Sequence, residues 1–563
     1  MIDRLSAVAL ALAAGSGLAI LGAHPPLGAW PLTFVAPGLF LAALWVEQRA
    51  ATNASRPPRM FRLGALSGVA TFAPMLSWLI MPAGYVGWGL LVGVQVVWFG
   101  LLAVLTRPFL YSRFLPVWLA IGWTGIDAWR AAIPLNGFEW GSIAYAHVDG
   151  SWLLSVARVL GGRGITFLVV LISASAALVI SAMWRAAKEK QEDPKQSQAA
   201  PVGSPGSTND RKERQNGEVP TTLMEKRLKA ANVPIAMLVI GMLASILITV
   251  EPPDQSGSLD VLAVQGNGLR HWEEGHNDPD PPLRITTALR DETLAAIEAD
   301  GQPDVTIWPE SGIDRDPFSD RGAPLAELAD ETAQAAGTLL AGVTLDADDA
   351  ASQRYVGALQ LEGGLNEQDR YIKRRLVPFG EFIPLRGLLE WFPPLEQVPR
   401  DAIPGEHPQV FQLPNGVRAA AIICFETMFT DIVRTNILAD QEPAQIVLTM
   451  TNDASFGDSA EPQQHLAQSQ LRAVETGRWV VHGALSGSSA FVDPHGQLSQ
   501  TTDIFTVDSI RADVPLVEGS TPYLVIGDVV GMVTRVVSGL MLVFALYAVW
   551  SARRGAKREQ ESR

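Results

Sequence analysis

Cysteine is almost missing from this chain. Cys424 stands alone among 563 residues, so no intrachain disulfide forms, and the question becomes what a single thiol is kept for. Charge is also scarce, at 18% of residues where soluble domains carry roughly 25%. With this length, that excludes one compact soluble domain. Positive charge is in deficit, the formal net charge being -15, which withholds the basic face that nucleic acid requires. No internal repeat is present. A hydrophobic content of 48% and a mean hydropathy of +0.17 exclude a disordered or fibrous chain.

The surplus hydrophobicity lies in blocks near 6–23, 29–46, 63–81, 87–105, 115–132, 164–184, 233–250 and 529–550. Each is about as long as a helix needs to cross a hydrocarbon core of roughly 30 Å. Eight spans are therefore expected. A cleavable signal peptide is the other reading of the first block, but no small-residue cleavage site precedes His24-Pro25-Pro26. Basic residues mark every second connection: Arg49, Arg56, Arg59 and Arg62; Arg107 and Arg113; Arg185, Lys188, Lys190 and Lys195; and Arg553, Arg554, Lys557 and Arg558. Since Lys and Arg near span ends stay cytoplasmic, both termini are expected inside. Loops 24–28, 82–86 and 133–163 and the segment 251–528 are then expected outside.

The expected organisation is a membrane region at 1–185, a linker at 186–231, a seventh span at 232–250, an outer domain at 251–528, a last span at 529–550 and a basic tail at 551–563. The linker, rich in Gln, Pro, Ser, Lys and Glu, has too few large apolar residues to offset the entropy of ordering, and is expected to be disordered and cytoplasmic. The outer segment alternates apolar runs such as LDVLAVQG, DVTIWPE and AQIVLTMTND with helical stretches such as LRITTALRDETLAAIEA. That alternation predicts a layered α/β domain with its own core.

Residues 251–520 carry 43 acidic against 17 basic side chains, and Lys373 is the only lysine among them. A general preference for arginine explains the other cations but not this exception; a surface lysine retained by chance is the plain alternative. Cys424 follows the apolar run Val417–Ile423. It is either a small core residue or a nucleophile projected from a strand end, where layered α/β folds bind ligands. Glu310 follows Val305–Trp308 and Pro309, which is expected to end the strand by withholding an N–H; it is either a solvated loop carboxylate or a group at the sheet edge. Together the three make a sufficient set for acyl transfer. A carboxylate with a pKa raised by burial takes the thiol proton, and an ammonium favours the thiolate and the oxyanion formed on a carbonyl.

The segments IWPES (307–311), YIKRRLVPFGEFIP (371–384), ICFE (423–426) and TNDASFGDS (451–459) resemble the Glu, Lys, Cys and downstream Asn-Asp blocks of the nitrilase (carbon–nitrogen hydrolase) superfamily. VQGN followed by Trp272, LVPFGEFIP, GSTPY (519–523) and the eight spans narrow the likeness to the apolipoprotein N-acyltransferase family. The resemblance implies an outer αββα four-layer sandwich with Cys424 as nucleophile, Glu310 as general base and Lys373 as transition-state stabiliser. It also implies a second glutamate, Glu381, near the lysine, Phe425 and Glu426 beside the nucleophile with the Phe425 N–H sharing the oxyanion, and Trp272 near the substrate entrance. The implied donor is a membrane phospholipid, and the implied acceptor is the N-terminal amine of a diacylglyceryl apolipoprotein at the outer face of a bacterial inner membrane.

Two positions depart from the family pattern: Phe425 stands where Tyr is common, and Ser455 where Trp is usual. The linker is also longer than the family requires. On the outer loop GFEWGSIAYAH (137–147), Trp140 and Tyr145 are expected to contact lipid or lipopeptide, or to be ordinary interfacial aromatics. Asp127 and Arg130 are expected first as a structural pair and second as a headgroup contact. The eight histidines show no metal-ligand spacing with acidic or cysteine partners, so neither a metal nor an organic cofactor is expected. A membrane-tethered amidase or nitrilase acting on a small amide would use the same triad, and a non-catalytic scaffold would need none of it.

Overall fold

The computed structural model describes residues 4–197, 223–248, 250–268, 278–348, 352–388 and 398–561. Helices α1 (Arg4–Ala23), α2 (Ala36–Asn53), α3 (Met60–Met75), α4 (Ile80–Thr106), α5 (Leu115–Arg130), α6 (Ala157–Ser197) and α7 (Leu223–Leu247) precede the first strand, and α13 (Val529–Glu561) follows the last. Among the described residues, five stretches are long and apolar enough to cross a membrane: Arg4–Ala23, Trp30–Asn53, Ser77–Phe109, Leu154–Lys188 and Val529–Ser551. The apolar stretch Asn232–Leu247 is shorter.

The blocks at 63–81 and 115–132 fold as helices of only 16 residues, α3 and α5. At 1.5 Å per residue each spans about 24 Å, short of a full hydrocarbon core. Pro74 lies in the last turn of α3, after which the chain tightens into a 3-10 turn at Ser77–Leu79. Helix α5 ends on Asp127 and Arg130, which pair at 2.9 Å with both side chains 1% exposed, so this pair is structural. The ends of the segment expected to be a disordered linker are helical, since α6 runs to Ser197 and α7 begins at Leu223. Their Ala, Lys, Glu and Gln favour helix continuation. Residues 198–222 of that segment lie outside the described residues.

The outer segment forms two six-stranded sheets. The first has the order β12-β1-β2-β3-β4-β5 and the second β11-β10-β9-β8-β7-β6. Their strands are β1 (Gln255–Gly266), β2 (Val305–Ile313), β3 (Thr338–Asp346), β4 (Arg354–Glu362), β5 (Glu367–Ile372) and β6 (Val410–Gln412). There follow β7 (Arg418–Ile423), β8 (Ile446–Thr451), β9 (Val480–Ala484), β10 (Ala490–Val492), β11 (Leu498–Thr501) and β12 (Val507–Val517). Alternation assigns the faces. Val305 and Ile307 of β2 meet Ala419, Ala421 and Ile423 of β7 in a core between the sheets, and the intervening residues face outward. Trp308 packs with Leu289 of α8 (Pro281–Asp300) and Leu325 of α9 (Ala323–Ala336). Ala420 and Ile422 pack with Val433 of α10 (Thr430–Ile437) and Leu466 of α11 (Glu461–Thr476). The result is four layers, αββα, as the period-2 burial of fully covered strands requires.

The helices and the sandwich share a core. Phe425, Met428, Phe429, Ala467 and Leu471 are buried in one cluster with Phe72, Trp78, Trp140 and Tyr145. Helix α11 supplies the polar fastenings at this seam. Gln464 Oε1 accepts from the indoles of Trp78 (3.3 Å) and Trp140 (2.6 Å), and Gln464 Nε2 donates to the Pro25 carbonyl at 3.2 Å. Arg472 donates to the Tyr145 hydroxyl at 3.2 Å, and Glu475 accepts from the Gly162 N–H at 2.7 Å. Arg163 pairs with Glu139 at 2.6 Å and with Asp528. Short helix α12 (Pro522–Ile526) begins within the GSTPY motif, and Tyr523 fills the kink of α6 at Gly161. That glycine has φ 68°, and a Cβ there would sit 2.2 Å from the Tyr523 ring.

Candidate active site

Glu310 is placed by a bulge rather than by a strand end. Strand β2 pairs with β3 up to Trp308↔Ala341 and resumes at Ile313↔Val343, so four residues bulge where the partner has one. Pro309 therefore interrupts the ladder without ending the strand, a correction to the expected strand end. The bulge needs room on the neighbouring strand, and Gly342 provides it: a Cβ there would lie 2.2 Å from the Pro309 carbonyl oxygen. Ser311, at φ 62°, turns the chain back. Glu310 is consequently 7% exposed and is no solvated loop carboxylate.

Cys424 follows β7 immediately and opens a 3-10 turn, Cys424–Met428. Its φ of 47° lies in the left-handed region, which non-glycine residues enter at a cost and mostly where function holds them. The Glu310 carboxylate and Thr451 both bear on the proton affinity of the thiol. Lys373 comes just after β5, its N–H bonded to the Val356 carbonyl at 2.8 Å. Its Nζ donates to Glu310 Oε1 at 2.9 Å and to Glu381 Oε1 at 2.7 Å, with the lysine side chain 1% exposed. Glu381 uses its other oxygen to accept from the Val377 N–H at 2.7 Å.

Burial sets the electrostatics of this group. It pushes the Glu310 carboxyl up, Lys373 pulls it down, Glu381 pushes it up again, and the net direction is upward. It also pushes the Cys424 thiol up, well above its ordinary value, with Glu310 adding to the rise and Lys373 opposing it. For Lys373, burial alone would lower the ammonium, but Glu310 and Glu381 outweigh that and hold it well above its ordinary value. At neutral pH the site therefore holds a cation between two carboxyls and a protonated thiol beside a carboxyl whose proton affinity has been raised, which is the disposition of a base and a nucleophile.

Glu426 is fully buried. It accepts from the Tyr371 hydroxyl at 2.9 Å and from the backbone N–H groups of Arg374 (2.7 Å), Arg375 (3.0 Å) and Ile423 (3.1 Å). It thus ties the residues flanking Lys373 to the turn that carries Cys424. The Phe425 ring lies in the apolar seam against Phe138 and Phe429, at centroid distances of 6.3 Å and 5.0 Å. A tyrosine hydroxyl there would need a partner, which accounts for the phenylalanine. Beside Ser455, Phe456 meets the Trp78 ring at 5.0 Å.

Trp272 is outside the described residues. Trp140 and Tyr145, expected at a lipid-contacting surface, are 5% and 4% exposed, their polar atoms held by Gln464, Met428 and Arg472. They are seam residues, buried because α11 packs over the outer loop. The histidines also differ from the reading of their spacing. Asp453, His465 and His482 converge with one ligand atom each within 4.8 Å. His465 Nδ1 lies 3.3 Å from Asp453 Oδ1, its Nε2 lies 3.1 Å from the Cys424 carbonyl, and His482 Nδ1 bonds the Ser469 hydroxyl at 2.8 Å. Three of the four ring nitrogens are thus engaged by protein groups, so the trio is satisfied largely as a hydrogen-bonded network behind the nucleophile.

Residues 16–175 match the family model for the apolipoprotein N-acyltransferase N-terminal domain, and residues 280–520 match the model for carbon-nitrogen hydrolase. Curated apolipoprotein N-acyltransferases align along both parts. That of Haemophilus influenzae is 26% identical over 91% of this chain and 90% of its own. That of Photobacterium profundum is 28% identical over 73% of this chain and 69% of its own. This chain is similar to apolipoprotein N-acyltransferases along most of its length. A solved mutant of the Nesterenkonia AN1 amidase, from the nitrilase superfamily, is similar over 48% of this chain and 95% of its own, at 19% identity and a TM-score of 0.34. The likeness to apolipoprotein N-acyltransferases extends over both halves of the architecture, the apolar helices and the carbon-nitrogen hydrolase-like sandwich.

Proposed function

We propose that this chain transfers a fatty acyl chain from a membrane phospholipid, through a thioester on Cys424, to the N-terminal α-amine of diacylglyceryl-cysteine in apolipoproteins. The observation that carries the proposal is the convergence of Glu310, Lys373, Glu381 and Cys424 in a buried cluster of a chain similar to apolipoprotein N-acyltransferases. In the first half-reaction Glu310 takes the thiol proton and the sulfur attacks the ester carbonyl carbon. Lys373 and the Phe425 N–H hold the oxyanion. The carbon–oxygen bond then breaks, and the leaving lysophospholipid alkoxide receives the proton from Glu310. In the second, the α-amine attacks the thioester, its proton passes to Glu310, and as the carbon–sulfur bond breaks Glu310 returns that proton to the sulfur, restoring the thiol and the ionised Glu310. Both half-reactions balance with protein groups alone.

A phospholipid donor suits the architecture. Each methylene drawn out of the bilayer costs about 0.8 kcal/mol, so the acyl ester has to be met at the membrane surface, and the turn bearing Cys424 shares its core with the apolar helices. In this reading the chain crosses the inner membrane eight times, with α3, α5 and α7 completing the count, and residues 251–528 face the extracytoplasmic side. The test is mass spectrometry of the Cys424 peptide after incubation with phosphatidylethanolamine vesicles. An acyl adduct on Cys424 that hydroxylamine removes, and that disappears in Cys424→Ala, is the expected result. Turnover of a small amide with no such adduct would instead assign the membrane-tethered amidase.

A further inference from the structure

The mechanism above leaves one buried contact to the nucleophile unused. His465 projects from α11, a helix of the second sheet's outer layer, and its Nε2 reaches the Cys424 carbonyl oxygen at 3.1 Å across 41 residues of sequence. A carbonyl only accepts, so Nε2 carries the hydrogen. The ring is 1% exposed and its other nitrogen is held 3.3 Å from both Asp453 Oδ1 and Thr451 Oγ1. Asp453 is itself braced by the Thr451 hydroxyl at 2.9 Å. Burial would raise the Asp453 carboxyl, yet His465 and Thr451 hold it below its ordinary value, consistent with a persistent carboxylate.

The peptide joining Cys424 to Phe425 is planar and trans, so its C=O and N–H point in opposite directions. A donor that captures the Cys424 carbonyl from one side therefore aims the Phe425 N–H to the other. Cys424 sits at φ 47°, a conformation that relaxes unless something over-determines it. The 3-10 turn that begins at Cys424 sets the local geometry, and His465 pins it from a separate helix. We propose that His465 is a positioning residue that aims the Phe425 N–H at the oxyanion formed when Cys424 is acylated. Adjacent Gln464 holds the indoles of Trp78 and Trp140, so the same turn of α11 that pins the nucleophile is anchored in the helical region.

This inference rests on the thioester reading, but its test uses a generic acyl donor. In full-length protein in detergent, Cys424 is acylated by p-nitrophenyl butyrate, read as the p-nitrophenolate burst, and separately alkylated by iodoacetamide, a displacement that forms no oxyanion. In His465→Leu the acylation rate constant is expected to fall on the order of 10²-fold at unchanged KM, with alkylation at the wild-type rate. His465→Gln, which restores a donor, is expected to recover most of the acylation. Equal losses in both rates, unchanged acylation in His465→Leu, or no recovery in His465→Gln overturns the proposal. Should the leucine variant fail to fold, His465→Met, also without a donor, is judged by the same criteria. Wild-type protein that reacts with the ester but takes no acyl chain from phospholipid would sink the proposed donor and leave this test intact.

Discussion

The Tyr371 hydroxyl lies 2.9 Å from both carboxylate oxygens of Glu426, and through that pair the loop carrying Lys373 is fastened to the turn carrying Cys424. Their contribution is to hold the segment of the ammonium against the turn of the sulfur. Tyr371→Phe removes one of four donors to Glu426 and leaves the three backbone N–H groups in place. It is expected to lower stability by about 1 kcal/mol and to leave acylation of Cys424 within a few-fold. Glu426→Ala strands a hydroxyl and three N–H groups in the interior, at about 1–3 kcal/mol each, so loss of the cooperative thermal transition in detergent is expected.

Lys373 is buried between two carboxyls, which gives its replacement two separable effects. Lys373→Met leaves Glu310 and Glu381 facing each other without a cation. Removing one partner of a buried ion pair costs roughly 3–5 kcal/mol, and removing an oxyanion donor slows acylation by about 10²–10³-fold. Thermal melts report the first and the burst rate with an activated ester reports the second. A variant that loses stability while keeping the burst would remove Lys373 from the chemistry.

The three residues that the structure brings together were legible because each falls at or near the end of an apolar run and each is rare in its setting: the one cysteine, the one lysine of residues 251–520, and a glutamate after Pro309. The layered fold followed from the same alternation of strand and helix. What stayed hidden is what depends on contacts distant in sequence. The bulge at Glu310 depends on the missing side chain of Gly342 on the next strand. The bond from His465 to Cys424 joins residues 41 apart. One signal was present: α11 places Gln464, Gln468, Arg472 and Glu475 at spacings of four, four and three, on one face, and all four are buried. A buried polar face has to be met by polar groups of another element. The short α3 and α5 escaped notice because hydropathy counts apolar residues without seeing where a helix stops.

In the proposed mechanism only ionised Glu310 takes the thiol proton, so the acid limb of the acylation profile is expected to report this carboxyl. Burial and Glu381 both raise its pKa while Lys373 lowers it, so acylation is expected to rise with pH through a midpoint above the ordinary carboxylate range. Removing the negative charge in Glu381→Gln withdraws one of the raising influences, and the midpoint is expected to move to lower pH. In Glu310→Gln the limb is expected to vanish, with the rate down by about 10²–10⁴-fold. Burst rates measured from pH 4 to pH 9 decide the matter, and a midpoint that moves up in Glu381→Gln contradicts the assignment.

Trp140 separates two roles for the outer loop. A tryptophan in contact with lipid would, when changed to phenylalanine, raise the KM for phospholipid while leaving the melt unchanged. The observed indole is 5% exposed and donates to Gln464 Oε1 at 2.6 Å, beside the weaker bond from Trp78 at 3.3 Å. Trp140→Phe removes the better donor but leaves the amide oxygen one partner, so a loss of about 1 kcal/mol in stability is expected, with KM for phosphatidylethanolamine unchanged. Gln464→Leu leaves both indole N–H groups buried without an acceptor, at about 1–3 kcal/mol each, and is expected to cost more than Trp140→Phe. An inverse order of stability, or a KM effect in Trp140→Phe without a stability effect, would return Trp140 to the substrate surface.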